Sequence, residues 1–391
     1  MADFLPEAEW TRRSDLAALV RALGNDNIRW VGGAVRDTLL GAEVNDVDAA
    51  TTFHPDQVMR LLADAGIRTV PTGIDHGTVT AVLPGGPVEV TTLRRDVATD
   101  GRRATVAFAR EWREDAARRD FTINALFANP ETLEISDYFG GLRDLADRRV
   151  RFIGDARERI REDHLRILRY YRFQARFGSE LDEEAEDACA ELADTMKGLS
   201  RERVAGELLS ILTLPDPSAT IRRMHERGVL QVVLPESTAG TVAVLDALVA
   251  HEQTLAVEQS GLRRLSALLP AIETVAESVA ARLRLSRKQR AHLCCVARRK
   301  TSDPLRARAL AYENSMECAR DRVLLAGAPL DTLSGWEPPR LPLKGGEIVE
   351  RGLATGPGVA RLLQAVEAQW IEEDFPGRAR VEDILAALTA E

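Results

Sequence analysis

The chain has 391 residues, 45% hydrophobic and 29% charged, with a formal net charge of -9. That is long enough for two or three domains with sizeable cores. The acidic balance argues against a general nucleic-acid binder, but its cations are 48 Arg against 4 Lys, and Arg is the residue of bidentate phosphate and base-edge contacts.

Residues 27–31 read as a short apolar strand closed by Gly32-Gly33, with a helical turn over 34–40. Residues 47–50 read as a second strand. A helix follows over 55–66, with Pro55 at its start and Val58, Leu61, Leu62 and Ala65 on one face. Strands over 78–82 and 88–92 are joined by Leu83-Pro-Gly-Gly-Pro87, a hairpin turn by composition. The Arg-rich stretch 94–113 has little apolar periodicity and reads as a mobile loop. From Asp115 onward the pattern is helix after helix, broken at Asn129-Pro130, Gly140-Gly141, Leu214-Pro-Asp-Pro217, Gly327-Ala-Pro329 and Glu337-Pro-Pro339. The expectation is an α+β head over 1–145 and an all-helical remainder divided near 215. No run approaches 18 apolar residues, and the acidic first ten residues lack a secretory pattern. Cys189, Cys294, Cys295 and Cys318 have no metal or CxxC spacing and read as buried thiols of a reducing compartment. A soluble cytoplasmic protein is expected.

Three segments carry chemistry together. The first is Gly32-Gly33-Ala34-Val35-Arg36-Asp37, followed by Asp46-Val47-Asp48. Alternate strand positions share a face, so Asp46 and Asp48 would project side by side. Paired carboxylates suit Mg²⁺, which binds through one or two carboxylates plus substrate phosphate oxygens. The Gly-Gly turn before a helix lets backbone N–H groups approach a phosphate, with Arg36 beside it. A lone Asp-x-Asp is equally at home on a solvated strand.

The second segment is Arg118-Arg119-Asp120-Phe121-Thr122-Ile123-Asn124-Ala125-Leu126. It reads as an amphipathic helix, or as a triphosphate grip in which Asp120 locks the Arg119 guanidinium. Asn124 in mid-helix costs propensity and implies a contact. The third is Glu162-Asp163-His164-Leu165-Arg166-Ile167-Leu168-Arg169-Tyr170-Tyr171-Arg172-Phe173. On one helix Asp163, Arg166 and Arg169 fall within an arc of about 120°, with Arg172 further round. A carboxylate beside an arginine reads base edges; the same spacing also makes i,i+3 salt bridges. His164 either contacts a base or faces solvent.

With these segments in order, the sequence resembles the class II tRNA nucleotidyltransferase and bacterial poly(A) polymerase family, most closely its CCA-adding members, over about residues 27–212. Leu199-Ser-Arg-Glu-Arg-Val-Ala-Gly-Glu-Leu-Leu209 is similar to the family's neck motif. The resemblance implies a polymerase-β-like nucleotidyltransferase palm, a mixed sheet with helices, followed by an all-α neck and body. The head would be 1–145, the base- and RNA-binding neck 146–214, and the tRNA-binding body 215–391. It implies that Asp46 and Asp48 are catalytic and bind Mg²⁺. Gly33 and Arg36 would contact the triphosphate, and Arg119 the triphosphate or ribose. Asp163 and Arg166 would pair with the base, with Arg169 and Arg172 completing the pocket. Glu89 is the available third carboxylate.

The implied activity is addition of CCA to the 3′ end of tRNA from CTP and ATP, releasing pyrophosphate by two-metal phosphoryl transfer. A poly(A) polymerase extending RNA with ATP alone keeps the same motifs. A non-catalytic RNA-binding protein on this scaffold is disfavoured, because the paired carboxylates and the Arg-Arg-Asp cluster are intact. No membrane and no obligatory protein partner are expected. The net charge conceals local excess: residues 143–176 hold 11 Arg against 6 acids, and 282–300 hold 8 basic residues and no acid, a candidate strip along tRNA phosphates.

Overall fold

The computed structural model describes residues 3–100, 103–177 and 181–390. The chain divides into two compact units, residues 1–233 and 234–391.

In the first unit, α1 (Ser14–Leu23) buries Leu16, Leu19 and Leu23, and β1 (Ile28–Val31) follows after a short turn. Gly32 then adopts φ +68°, a left-handed conformation that glycine alone enters freely, and turns the chain into α2 (Gly33–Leu39). β2 (Val47–Thr51) leads to α3 (Pro55–Asp64), whose Pro55 sits where its missing N–H costs nothing. The edge strand β3 (Arg68–Gly73) precedes the β4 (Thr78–Leu83) and β5 (Gly86–Thr92) hairpin. Mostly exposed, β3 has no apolar alternation by which sequence would mark it.

The stretch expected to be a mobile loop is instead a two-stranded hairpin, β6 (Arg94–Asp100) and β7 (Arg103–Phe108). Its ladder pairs backbone with backbone, so it needs no apolar period. A second correction follows α4 (Trp112–Ala117). The segment expected as helix is a single 3-10 turn, Thr122–Asn124, running into β8 (Leu126–Ala128) and then β9 (Ile135–Asp137). Phe121 through Ala128 are buried without a break, and a short apolar run buried on both faces is a strand as readily as a helix.

The seven-stranded sheet has the order β3-β4-β5-β2-β1-β8-β9. β2 and β5 pair in parallel at its middle, and the other neighbours are antiparallel. Such a parallel pair requires a crossover, supplied here by α3, β3 and β4. Helices α5 (Gly141–Ala146), α6 (Ala156–Glu162), α7 (Arg166–Phe177), α8 (Glu183–Glu191), α9 (Arg201–Leu212), α10 (Ser218–Glu226) and α11 (Val229–Val233) complete the unit.

The second unit holds α12 (Ala239–Thr254), α13 (Gly261–Ala267), α14 (Glu273–Arg282), α15 (Arg287–Ala297), α16 (Ala307–Glu313), α17 (Met316–Leu325), α18 (Gly345–Glu350), α19 (Pro357–Glu372) and α20 (Arg378–Ala390). Its centre contains a buried ionic cluster. Glu252 accepts from Arg263 Nη1 and Arg264 Nε, while Asp321 accepts from Arg263 Nε and lies 2.8 Å from His292 Nε2. The expectation of four free thiols is corrected here: α15 and α17 bring Cys295 and Cys318 to a Cα–Cα distance of 6.3 Å, and they form a disulfide. Cys189 and Cys294 are free and buried. No helix among the described residues is long and apolar enough to cross a membrane.

Candidate active site

The first unit contains a cleft of about 460 Å³ lined by β2 and β5, by the turn after β1 and by α7. Gly33, Arg36, Asp48 and Arg119 line it from the head segments. Asp163, Arg166 and Arg169 line it from the third motif. Two residues named from the sequence are not among its lining residues, Asp46 and Arg172. Asp46 precedes β2 in an exposed loop rather than sharing its strand.

Part of the cleft lining is acidic, at Asp48 and Glu89. The parallel register sets Asp48 directly opposite Glu89. Burial pushes the Asp48 carboxyl above its ordinary range, Glu89 and then Asp46 push it further, and only Arg119 pulls it back. A carboxylate crowded by two others, with a neighbouring cleft for phosphate oxygens, is a donor set that fits a hard divalent cation. Among the described residues no group of three or more potential ligand side chains is already gathered around a point, so the remaining ligands would come from substrate and water.

The rest of the cleft is cationic, with Arg36, Arg94, Arg118, Arg119, Arg166 and Arg169 along its walls. The expected lock on Arg119 was misassigned. Its guanidinium bonds to Asp115, with Nη2 3.0 Å and Nε 3.3 Å from Oδ2, because α4 places residue 115 one turn before it. Asp120 instead accepts from Arg169 Nε and Nη2 at 2.8 and 2.6 Å. Burial opposes ionisation of Asp120, but Arg169, Asn124 and the Phe121 N–H outweigh it and hold its carboxyl below the usual range.

Arg36 is buried, its Nε and Nη2 clamped by Asp37 and its Nη1 donating to Asn124 Oδ1. Asn124 is therefore a contact residue, as its helix cost suggested, though it closes a 3-10 turn. Asp37 also accepts from Arg176 Nη2 on α7 at 3.1 Å. The Phe173 ring lies beneath three guanidiniums, those of Arg36, Arg169 and Arg172, at 4.7–5.7 Å from its centroid.

The third motif is not one helix. α6 ends at Glu162 and α7 begins at Arg166, so Asp163 stands in the joint, where its Oδ1 accepts from the Leu165 N–H. Its Oδ2 accepts from Arg203 of α9 at 2.7 Å. Arg166 is held by Glu162 and by the backbone carbonyls of Arg159 and Arg118. Arg172 donates to Glu207 of α9 at 2.6 Å, behind the cleft wall. The Nδ1 of His164 is buried without a hydrogen-bond partner. Asp37, Asp115, Arg203 and Glu207 were missed from sequence; Arg203 and Glu207 meet partners on another element, whereas Asp37 holds its neighbour Arg36 and Asp115 holds Arg118 and Arg119 at the i,i+3 and i,i+4 spacings that sequence can show.

Family models match this part of the chain: the poly A polymerase head domain over residues 28–151, and the probable RNA and SrmB-binding site of polymerase A over 178–240. The mitochondrial CCA tRNA nucleotidyltransferase 1 of Mus musculus is 35% identical over 396 residues, covering 95% of this chain and 89% of that protein. The chain belongs to the CCA tRNA nucleotidyltransferase family. The fold agrees with that family. The Bacillus stearothermophilus CCA-adding enzyme in complex with CTP matches at TM-score 0.72 and 25% identity, over 92% of this chain and 93% of that one. The Thermotoga maritima CCA-adding enzyme complexed with tRNA shares the fold at TM-score 0.70, 22% identity and 95% coverage of both chains.

Proposed function

We propose that this chain adds C, C and A to the 3′ end of tRNA from CTP and ATP, releasing pyrophosphate. The observation that carries the reading is that paired carboxylates, an arginine cluster and an Asp–Arg pair line one cleft. The carboxylates are Asp48 and Glu89, and the pair is Asp163 with Arg166. That set fits a nucleoside triphosphate with its α-phosphate at the carboxylates, its polyphosphate on the arginines and its base edge at Asp163 and Arg166.

Asp46 and Asp48 would hold Mg²⁺, with Glu89 beside them. When bound, the ion supplies charge that lowers the pKa of the RNA 3′-hydroxyl and favours attack at phosphorus. Arg119 and Arg36 bind the triphosphate from a rigid base, since their guanidiniums are already oriented by Asp115 and Asp37. Preorganised cations of this kind need no reorientation as negative charge moves toward the leaving pyrophosphate. Asp163 accepts from an exocyclic amine and Arg166 donates to ring acceptors. Phe173 backs the arginine cluster, and Arg172 braces α7 against α9 through Glu207.

In this reading residues 1–145 act as the catalytic head, 146–214 as the neck that presents the base, and 215–391 as the tRNA-binding body. The reading also assigns the protein to the cytoplasm.

The test is incorporation of labelled CTP into tRNA lacking its terminus, followed by a single A. Tailing of any RNA with ATP alone would instead indicate a poly(A) polymerase. Asp163→Ala should lower incorporation of both nucleotides while leaving tRNA affinity near wild type.

A further inference from the structure

Asp115 lies outside the motifs and does not line the cleft, yet it is 1% exposed beneath it. Its Oδ1 accepts from Arg118 Nε at 2.8 Å and from the Arg94 N–H at 3.1 Å. Its Oδ2 accepts from both Nε and Nη2 of Arg119. All three arginines line the cleft. One buried carboxylate therefore anchors two cationic side chains and the first residue of the β6–β7 hairpin. Arg119 is enclosed further: its Cζ lies 5.1 Å from the Phe127 ring centroid, and its Nη1 lies 3.4 Å from where a Cβ on Gly32 would stand.

The chemistry of that arrangement is specific. Consecutive guanidiniums at 118 and 119 repel, and packing them on one wall requires an anion between them. A carboxylate with two oxygens can satisfy both sets of donors; a carboxamide has one acceptor, and its NH₂ would face an arginine donor. We propose that Asp115 is a positioning residue for the polyphosphate of the incoming nucleotide and of the pyrophosphate product, aiming Arg118 and Arg119 as a pair. This rests on the nucleotidyltransferase reading of the cleft.

The experiment measures CTP and pyrophosphate binding by calorimetry, with KM for tRNA and CTP, in wild type, Asp115→Asn, R119A and the double variant. D115N should weaken CTP and pyrophosphate together by about ten-fold, the scale of one lost charge-assisted hydrogen bond, with KM for tRNA unchanged. In the R119A background the effect of D115N should shrink, because most of its target is gone. Equal losses for CTP and tRNA, or full additivity with R119A, would overturn the inference in favour of a purely structural role. Wild-type protein that binds neither CTP nor pyrophosphate would overturn the site reading and the inference with it. Binding by wild type that D115N matches would overturn the inference alone. Should D115N not fold, Asp115→Glu keeps the anion and displaces it by one methylene. CTP affinity lowered at constant tRNA affinity supports the assignment, and a parallel fall in both overturns it.

Discussion

Asp48 on β2 and Glu89 on β5 occupy partnered positions in a parallel strand pair, so two carboxyl groups leave the same face of the sheet toward one cleft. Among the described residues neither has a cationic partner at salt-bridge distance, whereas Asp115 and Asp120 do.

Burial, then Glu89 and Asp46, raise the Asp48 carboxyl above its ordinary value of 3.8. A raised carboxyl stabilises the metal-free fold below that ordinary value, and the contribution is lost as pH rises through the elevated folded value. Without metal, Asp48→Asn should therefore be more thermostable than wild type at neutral pH, with the gap closing on acidification. Added Mg²⁺ should raise the wild-type Tm but not that of D48N, and D48N should lose about a hundred-fold or more in activity. A wild-type Tm indifferent to Mg²⁺ would sink the metal assignment.

Glu252 is 1% exposed and bonds to two arginines at once. Its replacement by Ala leaves Arg263 and Arg264 buried with one carboxylate partner fewer. Urea denaturation should show a loss of about 3–5 kcal/mol, the usual result of breaking a buried pair from one side. A loss below about 1 kcal/mol would mean that water reaches this cluster.

Gly140 and Gly141 adjoin but answer to different constraints. Gly140 has φ +80°, so Ala there costs about 1 kcal/mol of backbone strain. A Cβ on Gly141 would stand 2.3 Å from the Thr122 carbonyl oxygen, a clash that only backbone movement relieves. G141A should therefore be the more destabilising, by about 2–4 kcal/mol. It should also reduce activity, because Thr122 begins the turn that carries Asn124. Equal Tm shifts for the two variants would contradict this.

The Cys295–Cys318 disulfide closes a loop of sequence separation 23. On loop-closure entropy it should contribute about 3 kcal/mol. Reduction, or Cys295→Ser, should lower the melting temperature of the second unit, while the buried free Cys189 serves as control. Thiol titration that finds four reactive cysteines on unfolding without reductant would show the bridge unformed in solution.

Much of the head was legible because its signals are local. Gly32-Gly33 had to be a turn, Pro55 had to begin a helix, and Leu83-Pro-Gly-Gly-Pro87 had to reverse the chain. Asp48 and Glu89 were singled out separately, but only the crossover through α3, β3 and β4 makes them neighbours. Contact partners were harder. Arg119 stands beside Asp120 in sequence, yet a helical turn delivers it to Asp115, and the cation that reaches Asp120 comes from α7. Helical phase alone also carried Asp163 onto a helix, because nothing in a periodicity marks a break that a side chain caps. The hairpin at 94–108 escaped for a related reason: a ladder of backbone bonds leaves no apolar stripe to read.

Arg169 and Arg176 are seven residues apart on α7, two turns or about 10 Å along its axis. Both reach back to carboxylates of the head segments, Asp120 and Asp37. A helix fastened at two points along one stripe cannot roll about its own axis without shearing both fastenings together. On the proposed role of Arg166, exchanging a pyrimidine for a purine there is a two-position problem. Either both ties hold and the difference is absorbed by side-chain rotation at the cleft mouth, or both release and α7 leaves as a unit.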